Sequence, residues 1–316
     1  MVTGSVVNVL DDSAAGGVSF TVNGMLVGRS EANGSFAVGF HAEDVNRTVL
    51  AASAFVTRET GIAAPGSGLT LSLIPSSFDL TSFNQMFRHS AVSGVSQGLA
   101  RWKTAPALVI ERRVLQFSDV NAPAYEALDE TLTDAEVNSI IADMTDGFAI
   151  LTAGRLGAFS SIQTQLTEPG DTVAVSQPGR IVVTRQAGLT SGPPGTGTGF
   201  WGYGRWGNTP DGEVTRGFIM LDRDFDSSTN RSLSQYHRSL RMHELGHTLG
   251  CQHVDVSRRS VMNSNARSEP SDFDRQAARL AMLRPTGNRP PDIDPAAHTA
   301  TTAARTTQSL IWHGAH

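Results

Sequence analysis

The chain has 316 residues, a hydrophobic fraction of 39%, a charged fraction of 17% and a formal net charge of −5 at pH 7. These values predict a globular protein of one large or two ordinary domains. No basic patch of useful length appears, which argues against nucleic-acid binding. No apolar run approaches the roughly 18 residues of a membrane-spanning helix. The single cysteine, Cys251, excludes an intrachain disulfide.

Residues 1–75 are rich in Gly, Val, Ser and Thr in short alternating runs. Strands are predicted at 5–9, 17–22, 26–30, 35–40, 48–52 and 69–74. Asn23-Gly24 and Asn33-Gly34 are two-residue hairpin signals between them. This regular spacing predicts a small antiparallel β-sandwich.

The motifs Gly4-x-Val6 and Asn33-Gly34-Ser35 flank a Gly-Val-x-Phe-x-Val run that begins at Gly17. Their order resembles the carboxypeptidase-regulatory-like, transthyretin-like domain. Three roles for such a domain stay open: a spacer or folding aid, a module that binds substrate or a surface, and a shield over an active site.

A second domain is predicted at residues 76–288, after the break that begins at Pro75. Its predicted strands are 108–115, 160–166, 179–185 and 213–221. Its predicted helices are 78–88, 133–151, one that begins near Ser232 or Ser234 and ends at Gly250, and 269–283. The polar composition of residues 289–316 predicts a disordered C-terminal tail.

A long segment rich in Gly, Pro and aromatic residues, 188–212, precedes the last predicted strand. Loops of this length are often functional. Two interpretations stay open. The segment is either a packed surface loop or a wall of a cleft in which Trp201, Tyr203 and Trp206 contact substrate.

The pattern H-E-x-x-H-x-x-G-x-x-H begins at His243. On a helix, His243 and His247 stand one turn apart and can share a metal ion, while Glu244 can reach a metal-bound water. Gly250 can adopt a left-handed conformation, end the helix and turn the chain back, so that His253 supplies a third nitrogen. Three histidines leave one open position on a tetrahedral Zn²⁺ ion, as catalytic sites require.

This extended motif resembles the zinc site of the metzincin metallopeptidases, which carry a methionine turn beneath the metal. Met262, nine residues after His253, fits that turn. The resemblance implies an α+β fold, in which a metzincin-type catalytic domain with a mixed twisted sheet and three main helices follows the small all-β sandwich. No signal peptide is visible, so the resemblance alone favours a secreted protein.

The resemblance also implies a substrate-binding edge and a calcium site. The strand 216–221, with Phe218 and Ile219, would be the sheet edge that holds an extended peptide. Relatives of the matrix-metallopeptidase type bind Ca²⁺ near the position of Asp222 and Asp224. The preferred interpretation of these aspartates is a solvated acidic turn that favours the following helix, since the Gly and Glu of an EF-hand are absent.

The predicted function is a zinc-dependent endopeptidase that acts on a peptide or protein substrate. Glu244 would activate a zinc-bound water and then protonate the departing amine. Tyr203 is a candidate to assist the developing oxyanion. The alternative is a catalytically silent, metzincin-like binding protein whose N-terminal sandwich mediates the interaction.

Overall fold

The computed structural model describes residues 1–40, 46–88, 97–190, 201–295 and 307–309. Over these ranges the fold is α+β, with three β-sheets and helices that lie mainly in the second half of the chain. Within the same ranges, no helix combines the length and the apolar character that crossing a bilayer demands.

The described N-terminal part consists of two small sheets. Their strands are β1 Val2–Asn8, β2 Ser19–Val22, β3 Met25–Arg29, β4 Ser35–Val38, β5 Asn46–Ala51, β6 Arg58–Ile62 and β7 Gly66–Leu73. One sheet has the order β4-β1-β7 and the other β3-β2-β5-β6. Apolar side chains of both sheets, such as Val6, Phe20, Phe36 and Leu50, form one buried cluster. Two sheets that share one core are a sandwich-like arrangement.

The two Asn-Gly dipeptides have different roles in this part of the chain. Asn23, at φ 50°, and Gly24, at φ 80°, form the two-residue turn that joins the antiparallel strands β2 and β3. Asn33-Gly34 also turns the chain, but it links β3 to β4, which lie in different sheets. The hairpin predicted at Asn33-Gly34 is therefore wrong. The sheet is also not purely antiparallel, because β1 pairs with β7 in parallel.

A larger sheet and six helices follow. Their bounds are α1 Leu80–Arg88, β8 Ala107–Gln116, β9 Ala124–Thr131, α2 Asp134–Leu151, β10 Ile162–Gln165, β11 Thr172–Ala174, β12 Arg180–Ala187, β13 Gly202–Asn208, β14 Val214–Asp222, α3 Arg223–Asp226, α4 Arg231–Ser234, α5 His237–Thr248, α6 Asp272–Leu283 and β15 Thr307–Ser309, as far as the chain is described. The sheet order is β11-β9-β8-β12-β14-β13-β15, with β10 beside β8.

Helices α2 and α5 pack on one face of this sheet, and α6 packs on α2. Alternate residues of the central strands, such as Ile181 and Ile219, lie under the helices, whereas Val182 and Phe218 lie in a separate cluster on the other face. The capping box predicted at Thr133 begins α2. The helix predicted from Ser232 or Ser234 is interrupted, because α4 ends before α5 begins.

Strand β14 lies inside the sheet, so the prediction that residues 216–221 form its edge is wrong. β14 pairs in parallel with β12 on one side and antiparallel with β13 on the other. Phe218 and Ile219 are only 1% and 0% exposed and cannot contact a substrate without unfolding of the sheet. A near-continuous apolar run is typical of a strand that is covered on both faces.

The prediction of a disordered tail at residues 289–316 is wrong for residues 289–295. Asp292 is fully buried and forms an ion pair with Arg284 at 2.7 Å. The backbone of Asp292 and Asp294 is hydrogen-bonded to that of Glu59 in β6. Further along, residues 307–309 form β15 beside β13. Carboxylates that pair with distant arginines hold the first segment in place, which composition alone does not reveal.

Candidate metal centre

Helix α5 lies unusually close to strand β13, and two glycines permit this approach. A Cβ atom on Gly202 would lie 2.8 Å from Oε1 of Glu244, and one on Gly204 would lie 2.9 Å from Cβ of His247. Both distances are shorter than van der Waals contact allows. The alternation of glycines therefore gives β13 a bare face against the helix, and the carboxylate of Glu244 occupies the space beside the sheet.

Three imidazoles converge at the end of α5. The Nε2 atom of His243 lies 3.1 Å from Nε2 of His247 and 3.1 Å from Nε2 of His253. Gly250 takes φ 96° after the helix, and the N–H of Cys251 donates to the carbonyl of Gly246. This left-handed turn brings His253 back to the helical pair, as the spacing predicts.

The Nδ1 atoms of the two helical histidines bond to backbone carbonyls. Nδ1 of His243 lies 2.7 Å from the carbonyl oxygen of Val261, and Nδ1 of His247 lies 2.9 Å from that of Cys251. A carbonyl only accepts hydrogen bonds, so Nδ1 carries the proton and Nε2 carries a lone pair in each ring. When an imidazole binds a metal ion through one nitrogen, a hydrogen bond from its other nitrogen fixes the orientation of the ring.

The cluster fits a metal ion. Two Nε2 lone pairs that face each other at 3.1 Å repel unless a cation lies between them. Bonds of about 2.0–2.1 Å at tetrahedral angles place the nitrogen ligands of Zn²⁺ about 3.3 Å apart, close to the spacing found here. Among the described residues, His243, His247 and His253 are the one group of histidine, cysteine and carboxylate side chains with this convergence.

Burial favours the neutral form of two of the imidazoles. Desolvation lowers the pKa of His243 to about 4. Desolvation and the neighbouring His243 lower the pKa of His253 to about 3. Neutral imidazole is the form that binds metal ions, so no proton has to leave these two rings near pH 7.

Glu244 lies next to the ligands but is not one of them. Glu244 is only 2% exposed, and burial raises the pKa of its carboxyl group well above the usual value. The backbone N–H of Gly204 donates a hydrogen bond to the carboxyl group. Its Oε2 atom is buried without a hydrogen-bond partner among the residues described. This oxygen is therefore available to a proton or to a water molecule.

The segment after His253 supports the site from below. Met262 is fully buried, and its sulfur lies so close to Gly246 that a methyl group at that position would force the methionine side chain to move. The buried carboxylate of Asp274 accepts hydrogen bonds from the Ser260 hydroxyl and, at 3.1 Å, from the Val261 N–H. Because the Val261 carbonyl also bonds to His243, Asp274 in α6 helps to orient one imidazole of the histidine cluster.

Tyr203 and Trp206 do not line a cleft, which corrects the interpretation of 188–212 at these positions. Tyr203 is fully buried on the sheet face that points away from α5, so it cannot assist an oxyanion at the histidines. Trp206 is 5% exposed and lies in the main core. Trp201 is partly exposed and stacks on Phe225, with ring centroids 4.6 Å apart. Its predicted substrate contact stays a prediction, and residues 191–200 lie outside the described ranges.

The predicted calcium ligands have other roles. Asp222 is buried and accepts hydrogen bonds from the N–H groups of Phe225 and Thr190, at 2.8 and 2.9 Å, so it caps α3. Asp224 points outward and pairs with Arg223 at 2.8 Å. These two carboxylates do not form a shared oxygen site. The preferred interpretation as a helix-favouring turn describes Asp222 better, although that residue is buried and not solvated.

Three residues that position the histidines are not among the sequence predictions: Gly202, Gly204 and Asp274. The alternation Gly-x-Gly before a tryptophan was the available signal for the first two, since it gives a strand one bare face. Asp274 stands three residues after Ser271, which is the capping-box spacing, but its second contact with the Val261 segment has no local sequence signal.

No model of a known protein family matches this chain. A search of curated proteins also finds no significant match. The chemistry of the site therefore has to be inferred from the residues themselves.

Proposed function

We propose that this protein is a zinc-dependent endopeptidase of the metzincin type. The observation that carries the proposal is the convergence of three imidazole Nε2 atoms beside a buried carboxyl group, Glu244, that is left out of the ligand set. Sites that serve only structure normally use a fourth protein ligand, whereas this donor set leaves a position for a reactant. Imidazole nitrogens are ligands that suit zinc.

His243, His247 and His253 would hold the ion. When bound, zinc polarises a carbonyl group, acidifies water and favours the ionised form of the nearby Glu244 carboxyl. Glu244 then accepts a proton from the attacking water and delivers it to the departing amine. The N–H of Gly204 keeps the carboxylate oriented during both transfers. Such a proton carrier typically contributes about 10²–10⁴-fold to the rate.

Strand β13 is the proposed docking edge for the peptide substrate. It is the outer strand next to α5, and β15 pairs only with its residues Trp206–Asn208. Among the described residues, no strand pairs with Gly202–Arg205 on the outer side, but these four residues are buried, so a peptide can pair there only after this edge is uncovered. Backbone N–H and C=O groups at such an edge can pair with an extended peptide. This edge replaces residues 216–221 in the substrate-binding hypothesis.

The test is cleavage of a mixed peptide library by the zinc-loaded chain, with Glu244→Ala as the inactive comparison. Glu269→Gln, at an exposed glutamate, is the matched control. We expect cleavage by the wild type and the control, and a loss of at least about 10²-fold in Glu244→Ala. Zinc content is measured in the same samples. Equal zinc without cleavage above the Glu244→Ala level would contradict the proposal and favour the silent binding protein.

A further inference from the structure

A cavity lies away from the metal centre, between strands β5 and β6 of the N-terminal part and segments that flank the larger sheet. Its volume is about 770 Å³, within the range of about 300–1,000 Å³ that small-ligand sites occupy. Strands β5 and β6 form one wall. The segments 101–103, 210–211 and 285–295 form the others. None of the three histidines and neither Glu244 nor its neighbours lines this space.

The lining is rich in cations, although the whole chain has a formal net charge of −5. Its charged members are Arg47, Arg101, Lys103, Arg289, Asp211 and Asp294. Both aspartates already have cationic partners. Asp211 pairs with Lys103 at 3.0 Å, and Asp294 pairs with Arg58 at 2.8 Å. Arg47 pairs with Glu59, and Lys103 also pairs with Glu213 at 3.0 Å. The cations that remain in excess are Arg101 and Arg289.

Two of these arginines lack an acidic partner. Over the described ranges, neither Arg101 nor Arg289 has a carboxylate oxygen within 4 Å of its guanidinium. Arg101 is half-buried, and its Nε and Nη1 donate to the carbonyls of Arg284 and Trp102, at 3.0 and 3.1 Å. These bonds hold the guanidinium in place before any ligand arrives. Burial lowers the pKa of Arg101, and the nearby Glu213 carboxylate, which forms no ion pair with it, offsets only part of this effect.

The charges behind the cavity wall add to the positive potential. Arg284 and Arg88 share the buried Asp292, at 2.7 and 3.4 Å, while Arg58 pairs with Asp294. Three guanidiniums therefore share two carboxylates in a region that is almost free of solvent. An anion in the adjacent cavity would offset this surplus.

We propose that this cavity binds a small anionic molecule through a phosphate or carboxylate group, which Arg101 and Arg289 recognise. A guanidinium offers paired N–H donors that match both groups in a bidentate geometry. The ligand bridges two parts of the chain, because Arg47, Thr60 and Gly61 belong to strands β5 and β6, whereas Arg101 lies in the segment before β8. The site is independent of the metal centre and of the proposed peptidase activity.

Isothermal titration calorimetry on the full zinc-loaded chain, at low salt, tests the proposal with inorganic phosphate and with succinate as probes. Arg289→Gln is the main variant, since its side chain is exposed and its backbone bonds to Ile293 are kept. Arg101→Gln is the second. Arg29→Gln, at an exposed arginine of β3, is the matched control. Thermal unfolding confirms that each variant is folded.

We expect at least one probe to bind to the wild type and to Arg29→Gln. The dissociation constant of that probe should be at least about tenfold higher for Arg289→Gln. Preference for phosphate or for succinate identifies the ligand group. An absence of binding by both probes would overturn the proposal. Equal binding by the wild type and both cavity variants would also overturn the proposal, because the anion would then bind at another site, such as the metal centre.

Discussion

The close contact between β13 and α5 leads to a sharp prediction for Gly204→Ala. The new methyl group would lie 2.9 Å from Cβ of His247 and closer still to the backbone oxygen of Glu244. Both neighbours belong to the helix itself and cannot swing away, so α5 has to move by several tenths of an ångström or more. Overpacking of this kind costs about 1–3 kcal/mol in the free energy of unfolding.

The movement also separates the helical ligands from His253, which lies on a different segment. Displacements of about 1 Å at a reacting centre can cost about 10²-fold in rate. We therefore expect Gly204→Ala to lower zinc affinity and kcat/KM together with stability. Urea unfolding, chelator competition and peptide cleavage measure the three effects.

Gly207→Ala on the same strand is the control. Its methyl group would meet the side chain of Arg216, which can move aside. Both variants share the gain of about 0.5–1 kcal/mol from removal of a flexible glycine, so their difference isolates the helix contact. A Gly204→Ala protein with the stability, zinc affinity and activity of Gly207→Ala would refute the reasoning.

Three further measurements concern the support of the site, its pH response and its edge. Asp274→Asn should lose about 1–3 kcal/mol of stability and bind zinc more weakly than the exposed control Asp272→Asn, as urea unfolding and chelator competition would report. In the metal-free protein, unfolded imidazoles bind protons near pH 6.5, whereas burial lowers the pKa of His243 to about 4. Stability should therefore fall as the pH drops through this window, and a flat urea midpoint would contradict the assignment. Deletion of 296–316 removes β15 from β13 and should lower KM with little change in kcat; an unchanged KM would show that β15 does not compete with substrate.

The ligand geometry could be predicted from sequence because it depends on local rules. Helix periodicity places His243 and His247 one turn apart, and the turn at Gly250 brings His253 back beside them. The capping box at Thr133 and the turn at Asn23 are local in the same sense. Each of these features needs only a few neighbouring residues.

The errors arose where pairing is non-local. β13 has the composition of a loop, and only its partner β14 and the helix above explain its glycines. The apolar run in β14 carried a signal of burial on both faces that conflicted with an edge position. Asp292 and Asp294 look like tail residues, but arginines more than 200 positions away in the sequence, such as Arg58 and Arg88, hold them.

The most direct measurement is a crystal structure of the zinc-loaded protein with anomalous data at the zinc absorption edge. We expect one strong peak per chain, bonded at about 2.0–2.1 Å by the Nε2 atoms of His243, His247 and His253, with Glu244 outside bonding distance. No peak at these rings, or an ion that takes Glu244 as a ligand in place of a histidine, would contradict the assignment of a catalytic metal centre.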